Sequence, residues 1–94
     1  MVVSSVNYAE TLLQLTKRKA SRKILTALII KTKITIVDFN QLMAEILSEI
    51  VPHAPISLAD RACIATAISL NCPVLTADRA WARLKLPIEV KFIR

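Results

Sequence analysis

Apolar positions recur along most of this chain at helical spacing, interrupted by short runs of β-branched residues. Val2-Val3 reads as a very short strand fragment. After it, Val6, Ala9, Leu12 and Leu13 fall on one arc at about 100° per residue, predicting a helix from Val6 to about Lys19. Ser5 is its expected cap, and Glu10 sits on the edge of the arc. A second helical pattern covers about Ala20 to Ile30 and ends in Lys31-Thr32-Lys33. Ile34-Thr35-Ile36-Val37-Asp38-Phe39 is β-branched and aromatic, and reads as a buried strand. Leu42, Ile46 and Ile50, one turn apart, predict a third helix over Gln41 to Val51. After the turn Pro52-His53-Ala54-Pro55 comes a helix from Leu58 to Leu70, stopped by Asn71-Cys72-Pro73. A strand Val74 to Thr76, a short helix Arg79 to Leu84 and a final strand Ile88 to Ile93 complete the pattern.

Strands alternating with helices predict an α/β protein with a parallel sheet and flanking helices, in one domain spanning residues 1–94. A chain of this length is near the lower limit for a self-sufficient core. Its 54% apolar content therefore predicts apolar surface buried against another chain, in a homodimer or higher oligomer. No apolar run approaches the ~20 residues of a membrane span. Met1-Val2-Val3-Ser4-Ser5 has neither a basic region nor a cleavage site, so a cytoplasmic location is expected.

The chain contains no glycine, which excludes the P-loop and the dinucleotide fingerprint, both dependent on close backbone approach to phosphate. Cys63 and Cys72 are too few and too far apart for a zinc framework and read as reduced, structural residues. His53 is the only histidine and lies between prolines, giving little support to Ser-His or Cys-His catalysis.

Charge changes the picture twice. The net charge is +6, and Lys17, Arg18, Lys19, Arg22 and Lys23 crowd into seven residues. Such a patch suits a polyanion, although a merely solvated helix end has the same composition. Against this background only seven acids occur, and two of them stand in identical tetrads: Ala59-Asp60-Arg61-Ala62 and Ala77-Asp78-Arg79-Ala80. The first opens a helix and the second follows a strand, so both carboxylates can reach one end of a parallel sheet. The simpler reading is local. Ser57-x-x-Asp60 makes a capping box, and Asp78 N-caps the helix carrying Trp81.

In order along the chain, Ser4-Ser5-Val6-Asn7-Tyr8-Ala9-Glu10, Ile56-Ser57-Leu58-Ala59-Asp60-Arg61-Ala62, Pro73-Val74-Leu75-Thr76-Ala77-Asp78-Arg79-Ala80-Trp81 and Val90-Lys91-Phe92-Ile93-Arg94 closely resemble PIN-domain proteins, with VapC-type toxins of toxin–antitoxin pairs as the nearest relatives. The resemblance runs from about Val2 to the last residue. It implies a three-layer α/β/α fold and metal-dependent endoribonuclease activity. Glu10, Asp60 and Asp78 match the family's metal-binding acids, and Asn7 and Thr76 match polar residues that line its site. Mg²⁺ or Mn²⁺ is the implied cofactor, RNA the substrate, and a VapB-like antitoxin the partner.

The chain departs from the family at its start. It begins at the family's second strand, and no acid precedes Glu10. The expectation is therefore a PIN-like domain shortened at the N-terminus, with impaired nuclease activity. The alternative is a catalytically inactive PIN remnant that binds RNA or an antitoxin.

Overall fold

The structure is a computed structural model and describes residues 1–76 and 78–92. Its elements run β1 (Val2–Ser4), α1 (Ser5–Lys17), α2 (Lys23–Thr32), β2 (Thr35–Val37), α3 (Gln41–Glu49), α4 (Leu58–Leu70), β3 (Val74–Thr76), a 3₁₀ helix (Arg79–Arg83) and β4 (Val90–Phe92). The alternation of strand and helix is the expected mixed α/β arrangement.

The strands are parallel, but they form two separate pairs among the described residues: β1 with β2, and β3 with β4. Val3 lies opposite Ile36 in the first pair, and Leu75 opposite Lys91 in the second. Each strand has only three residues. Ile34 to Phe39 therefore does not make the buried strand its composition suggests. Among the described residues β2 has a single neighbouring strand, Thr35 is exposed, and Ile36 and Val37 are only half-buried. The last strand is likewise shorter than Ile88 to Ile93, and Ile93 lies outside the described residues.

Helix ends are set by local chemistry. Ser4, not Ser5, caps α1: its extended backbone turns the hydroxyl oxygen to accept from the Val6 amide at 3.2 Å. Ser5 instead accepts from the Phe39 amide at 3.0 Å, tying the start of α1 to the segment after β2. α2 begins at Lys23 rather than Ala20, because Lys19 takes a positive φ of 54° and the Ser21 hydroxyl accepts from the Lys23 amide. Without glycine, the left-handed positions that close α2 and α4 fall to Lys33 and Asn71. α3 ends at Glu49, and its inward arc is Met43, Ile46, Leu47 and Ile50, while Leu42 is exposed.

α4 is the centre of the molecule. Ala62, Ile64, Ala65, Thr66 and Ala67 are all buried, so the helix is covered on more than one side. It packs against α3, α1, β1 and β3. Its small residues permit that close approach from several directions, and a large side chain at Ala62 or Ala65 would meet a neighbour. The core joins Ile50, Ile64, Ala65, Val74 and Trp81, with Trp81 delivered by the 3₁₀ helix. α2 is the opposite case: an apolar helix with no buried residue.

Between α3 and α4, Val51 holds a φ of 32°, a strained value for a β-branched residue. The Arg61 guanidinium donates to the carbonyls of Ile50, Val51 (3.2 Å) and Ala54 (2.9 Å) and holds this loop against α4. The arginine of the first tetrad is thus a structural clamp.

Candidate functional site

The predicted site residues lie at the junctions between elements. β1 runs directly into α1, placing Asn7 in its first turn and Glu10 about one turn further on. The Asn7 side-chain amide donates to the Ala59 carbonyl at 3.0 Å, so the beginning of α1 is bonded to the beginning of α4. Asp60 is the next residue, half-buried in the first turn of α4. Its amide donates to the Ser57 hydroxyl oxygen at 3.1 Å, the capping bond read from the sequence, and its carboxylate complements the positive end of the helix. Glu10 is exposed.

The other acid follows β3. Thr76 is buried, and its hydroxyl oxygen accepts from the Asp78 amide at 3.0 Å, setting the direction of the chain as it leaves the strand. Asp78 Oδ1 accepts from the Ala80 amide at 2.9 Å and caps the 3₁₀ helix. The Asp78 cap of the local reading is therefore present, and of the Ser57 capping box the half that uses the Asp60 backbone amide. The cap takes one acceptor position of the Asp78 carboxylate, which offers several. Ala77 lies outside the described residues. Arg79, the arginine of the second tetrad, stacks over the Phe92 ring at 4.9 Å from its centroid.

Three carboxylates are hard oxygen donors of the type Mg²⁺ takes. Their arrangement does not match their chemistry: among the described residues, no group of three or more His, Cys, Asp or Glu side chains is close enough to hold a metal. Asn7 and the residue before Asp60 are joined by a hydrogen bond, and Glu10 and Asp78 are both exposed. The donor set fits a divalent ion, but the geometry provides no closed site for one.

Cys63, one turn after Asp60, has its thiol pushed above the ordinary value of 9.0, first by burial and second by the Asp60 charge. It is held as a neutral thiol near neutral pH, in keeping with a structural role. Cys72 is also free, and His53 is exposed in its turn. Lys17, Arg18, Lys19, Arg22 and Lys23 are all exposed where α1 turns into α2. Arg22 also donates to Thr16 Oγ1 at 3.2 Å.

The sequence pattern missed two features of this region. The Ala59 carbonyl carries the link to Asn7, and a backbone group has no signature in a sequence. Arg61 anchors the loop after α3, but nothing in its tetrad separates it from Arg79.

A family model described as PIN domain matches residues 1–86. No curated protein matches the chain. None of the described helices is long and apolar enough to cross a membrane.

Proposed function

Because the chain belongs to the PIN-domain family, which points to nuclease-type function on RNA, we propose that it is a metal-dependent endoribonuclease of the VapC type, with impaired activity. It is the toxin of a toxin–antitoxin pair, acts in the cytoplasm and has a VapB-like antitoxin as partner. In this reading Glu10, Asp60 and Asp78 are the catalytic and metal-binding acids, with Asn7 and Thr76 lining the site. Mg²⁺ or Mn²⁺ would supply positive charge beside the attacked phosphate and lower the pKa of a water. The observation that carries the reading is the Asn7–Ala59 bond, which ties the helix bearing Glu10 to the turn bearing Asp60. Impaired activity is supported by the lack, among the described residues, of any group of three acids gathered to hold a metal, and by the engagement of Asp78 Oδ1 in a helix cap.

The test is RNA cleavage with Mg²⁺ or Mn²⁺ by the chain and by Asp60→Asn and Asp78→Asn. Asparagine caps helices as well as aspartate does, so Asp78→Asn removes charge while leaving the cap. Weak cleavage is expected, falling at least about tenfold in either variant, the scale of a damaged metal site. Equal cleavage by all three proteins, or none by any at high concentration, removes the reading.

A second reading is an inactive PIN remnant that binds RNA or the antitoxin without cutting. The basic run from Lys17 to Lys23 favours it, since its five basic side chains are exposed where phosphate can reach them. Calorimetry separates the two. Tight divalent binding that disappears in Asp60→Asn supports the nuclease, whereas salt-sensitive RNA binding without metal binding supports the remnant.

We infer a homodimer or higher oligomer as well. Ile24 and Leu28, one turn apart on α2, are 78% and 51% exposed, and apolar surface of this kind favours association. Sedimentation at low micromolar concentration decides it. A stable 10.4 kDa monomer overturns the inference.

A further inference from the structure

α2 turns an apolar face to solvent. Ile24, Ala27 and Leu28 stand at i, i+3 and i+4, on one side of the helix, and Lys31 at i+7 closes the far end of that side. Ile30, at its margin, is 73% exposed. Leu25 and Ile29 point the other way and are half-buried, so this weak contact is what holds α2 to the rest of the chain. The helix has ten residues, a length of about 15 Å, and therefore lies far short of crossing a bilayer.

Charge frames this face at both ends. Five bases from Lys17 to Lys23 are exposed before it, and Lys31 and Lys33 after it. No acid occurs between Glu10 and Asp38, so nothing within the segment neutralises them. Whatever covers the face has to be apolar opposite Ile24 and Leu28 and anionic at both ends. A second copy meets the first condition and fails the second. Whether two α2 helices run parallel or antiparallel, bases face bases, and like charges across an interface cost affinity. RNA meets the second condition and fails the first. It gains nothing from exposed isoleucine and leucine, and the aromatic rings on which single strands stack are absent between Tyr8 and Phe39. An anionic bilayer meets both, because its charged headgroups overlie an apolar layer. Long lysine and arginine stems keep their charges among the headgroups while shorter aliphatic side chains enter below them.

We propose that α2 is an interfacial helix that docks this protein on an anionic phospholipid surface. Ile24, Leu28 and Ile30 enter the boundary between headgroups and acyl chains, and the bases on either side meet the headgroup phosphates. A single protruding helix suits a soft surface, which closes around it where a rigid partner would need a matching groove. Binding is reversible, since a few aliphatic side chains anchor weakly and the charges supply the rest. Two copies that associate through Ile24 and Leu28 in solution bring their bases together, so the lipid competes with that association. The proposal does not rest on the nuclease reading, and its test uses no activity.

The test is co-sedimentation of the full chain with vesicles of phosphatidylcholine alone or with about one third phosphatidylglycerol, the anionic component. Binding to the anionic vesicles is expected to be at least about tenfold tighter and to weaken in about 1 M salt, where the screening length falls to about 3 Å. Ile24→Ser with Leu28→Ser removes the apolar anchors, and Lys23→Gln with Lys31→Gln removes a charge at each end. Each pair is expected to weaken binding by about tenfold or more. All four side chains are exposed, so the core is untouched, and Trp81 fluorescence checks the fold. No binding at about 1 mM accessible lipid overturns the proposal. Equal binding to both kinds of vesicle overturns the role of charge. Undiminished binding by the serine variant overturns the insertion of α2 and leaves only adsorption of a basic protein. A dimer that the serine variant splits and anionic vesicles do not split overturns the occupant, because a second copy then holds the face.

Discussion

The Asn7 side chain bonds to the Ala59 carbonyl at 3.0 Å, joining residues 52 apart in sequence. This bond ties the turn that holds Asp60 to the helix that holds Glu10. Asn7→Ala is expected to lower stability by about 1 kcal/mol, the usual worth of one such bond, because the Ala59 carbonyl loses its donor. Urea unfolding followed through Trp81 measures the loss. An unchanged midpoint would show that water replaces Asn7 without cost.

Arg61 makes a larger contribution. Its charged guanidinium serves three carbonyls in the loop whose Val51 is strained. Arg61→Ala is expected to cost about 2–4 kcal/mol, the upper range of single substitutions, since a half-buried charge-assisted network is lost. Arg61→Lys should recover only part of it, because a lysine ammonium is a point donor and cannot span three acceptors as a planar fork does. Full recovery by lysine in thermal unfolding would refute the clamp.

Lys33 closes α2 with a φ of 56°. Glycine adopts that conformation without a Cβ penalty, so Lys33→Gly should stabilise the protein by up to about 1 kcal/mol. In a chain of this size the matching rise in melting temperature is about 4–8 °C. Asn71→Gly should gain less, because asparagine tolerates the left-handed region better than lysine.

Cys63 gives a pH signature. Its thiol titrates above the ordinary 9.0 because burial and the Asp60 charge both disfavour the thiolate. The raised folded value means that the folded state retains its proton longer than the unfolded state. Stability from this group is therefore complete below pH 9.0 and is lost as pH rises from there through the folded value. Alkylation of a Cys72→Ser protein across the alkaline range reads the titration directly. Asp60→Asn should shift the profile downward but not restore 9.0, since burial is the larger cause.

Much of this protein was legible in its sequence, for reasons internal to each segment. Ser57 and Asp78 each stand just before a helix, so both caps follow from the order of residues, as does the stop at Asn71. α4 matched its predicted limits because an N-cap, an apolar pattern and a left-handed terminator all agree there. Ordered acids and the Thr76-to-Trp81 segment were enough to suggest the family. Where local signals were weak, boundaries moved. Ser4 and Ser5 are equivalent as residues, and only the bond from Phe39 to Ser5 leaves Ser4 as the cap. Leu42 and Met43 are both apolar, and the packing of α3 on α4 decided which faces inward.

What no local pattern contained was the relation between distant segments. The sequence shows four strand-forming runs but not that they associate as two pairs, because pairing depends on what lies beside each edge. It shows three acids but not that Asn7 reaches Ala59 or that the three acids do not gather into one group. It shows two cysteines but not that Cys63 lines a cavity together with β1 and β3. Capping and helical periodicity act over a few residues and are therefore written along the chain. Sheet assembly, the gathering of charges and the walls of a cavity are set by which surfaces meet in space, and those meetings exist only in the folded molecule.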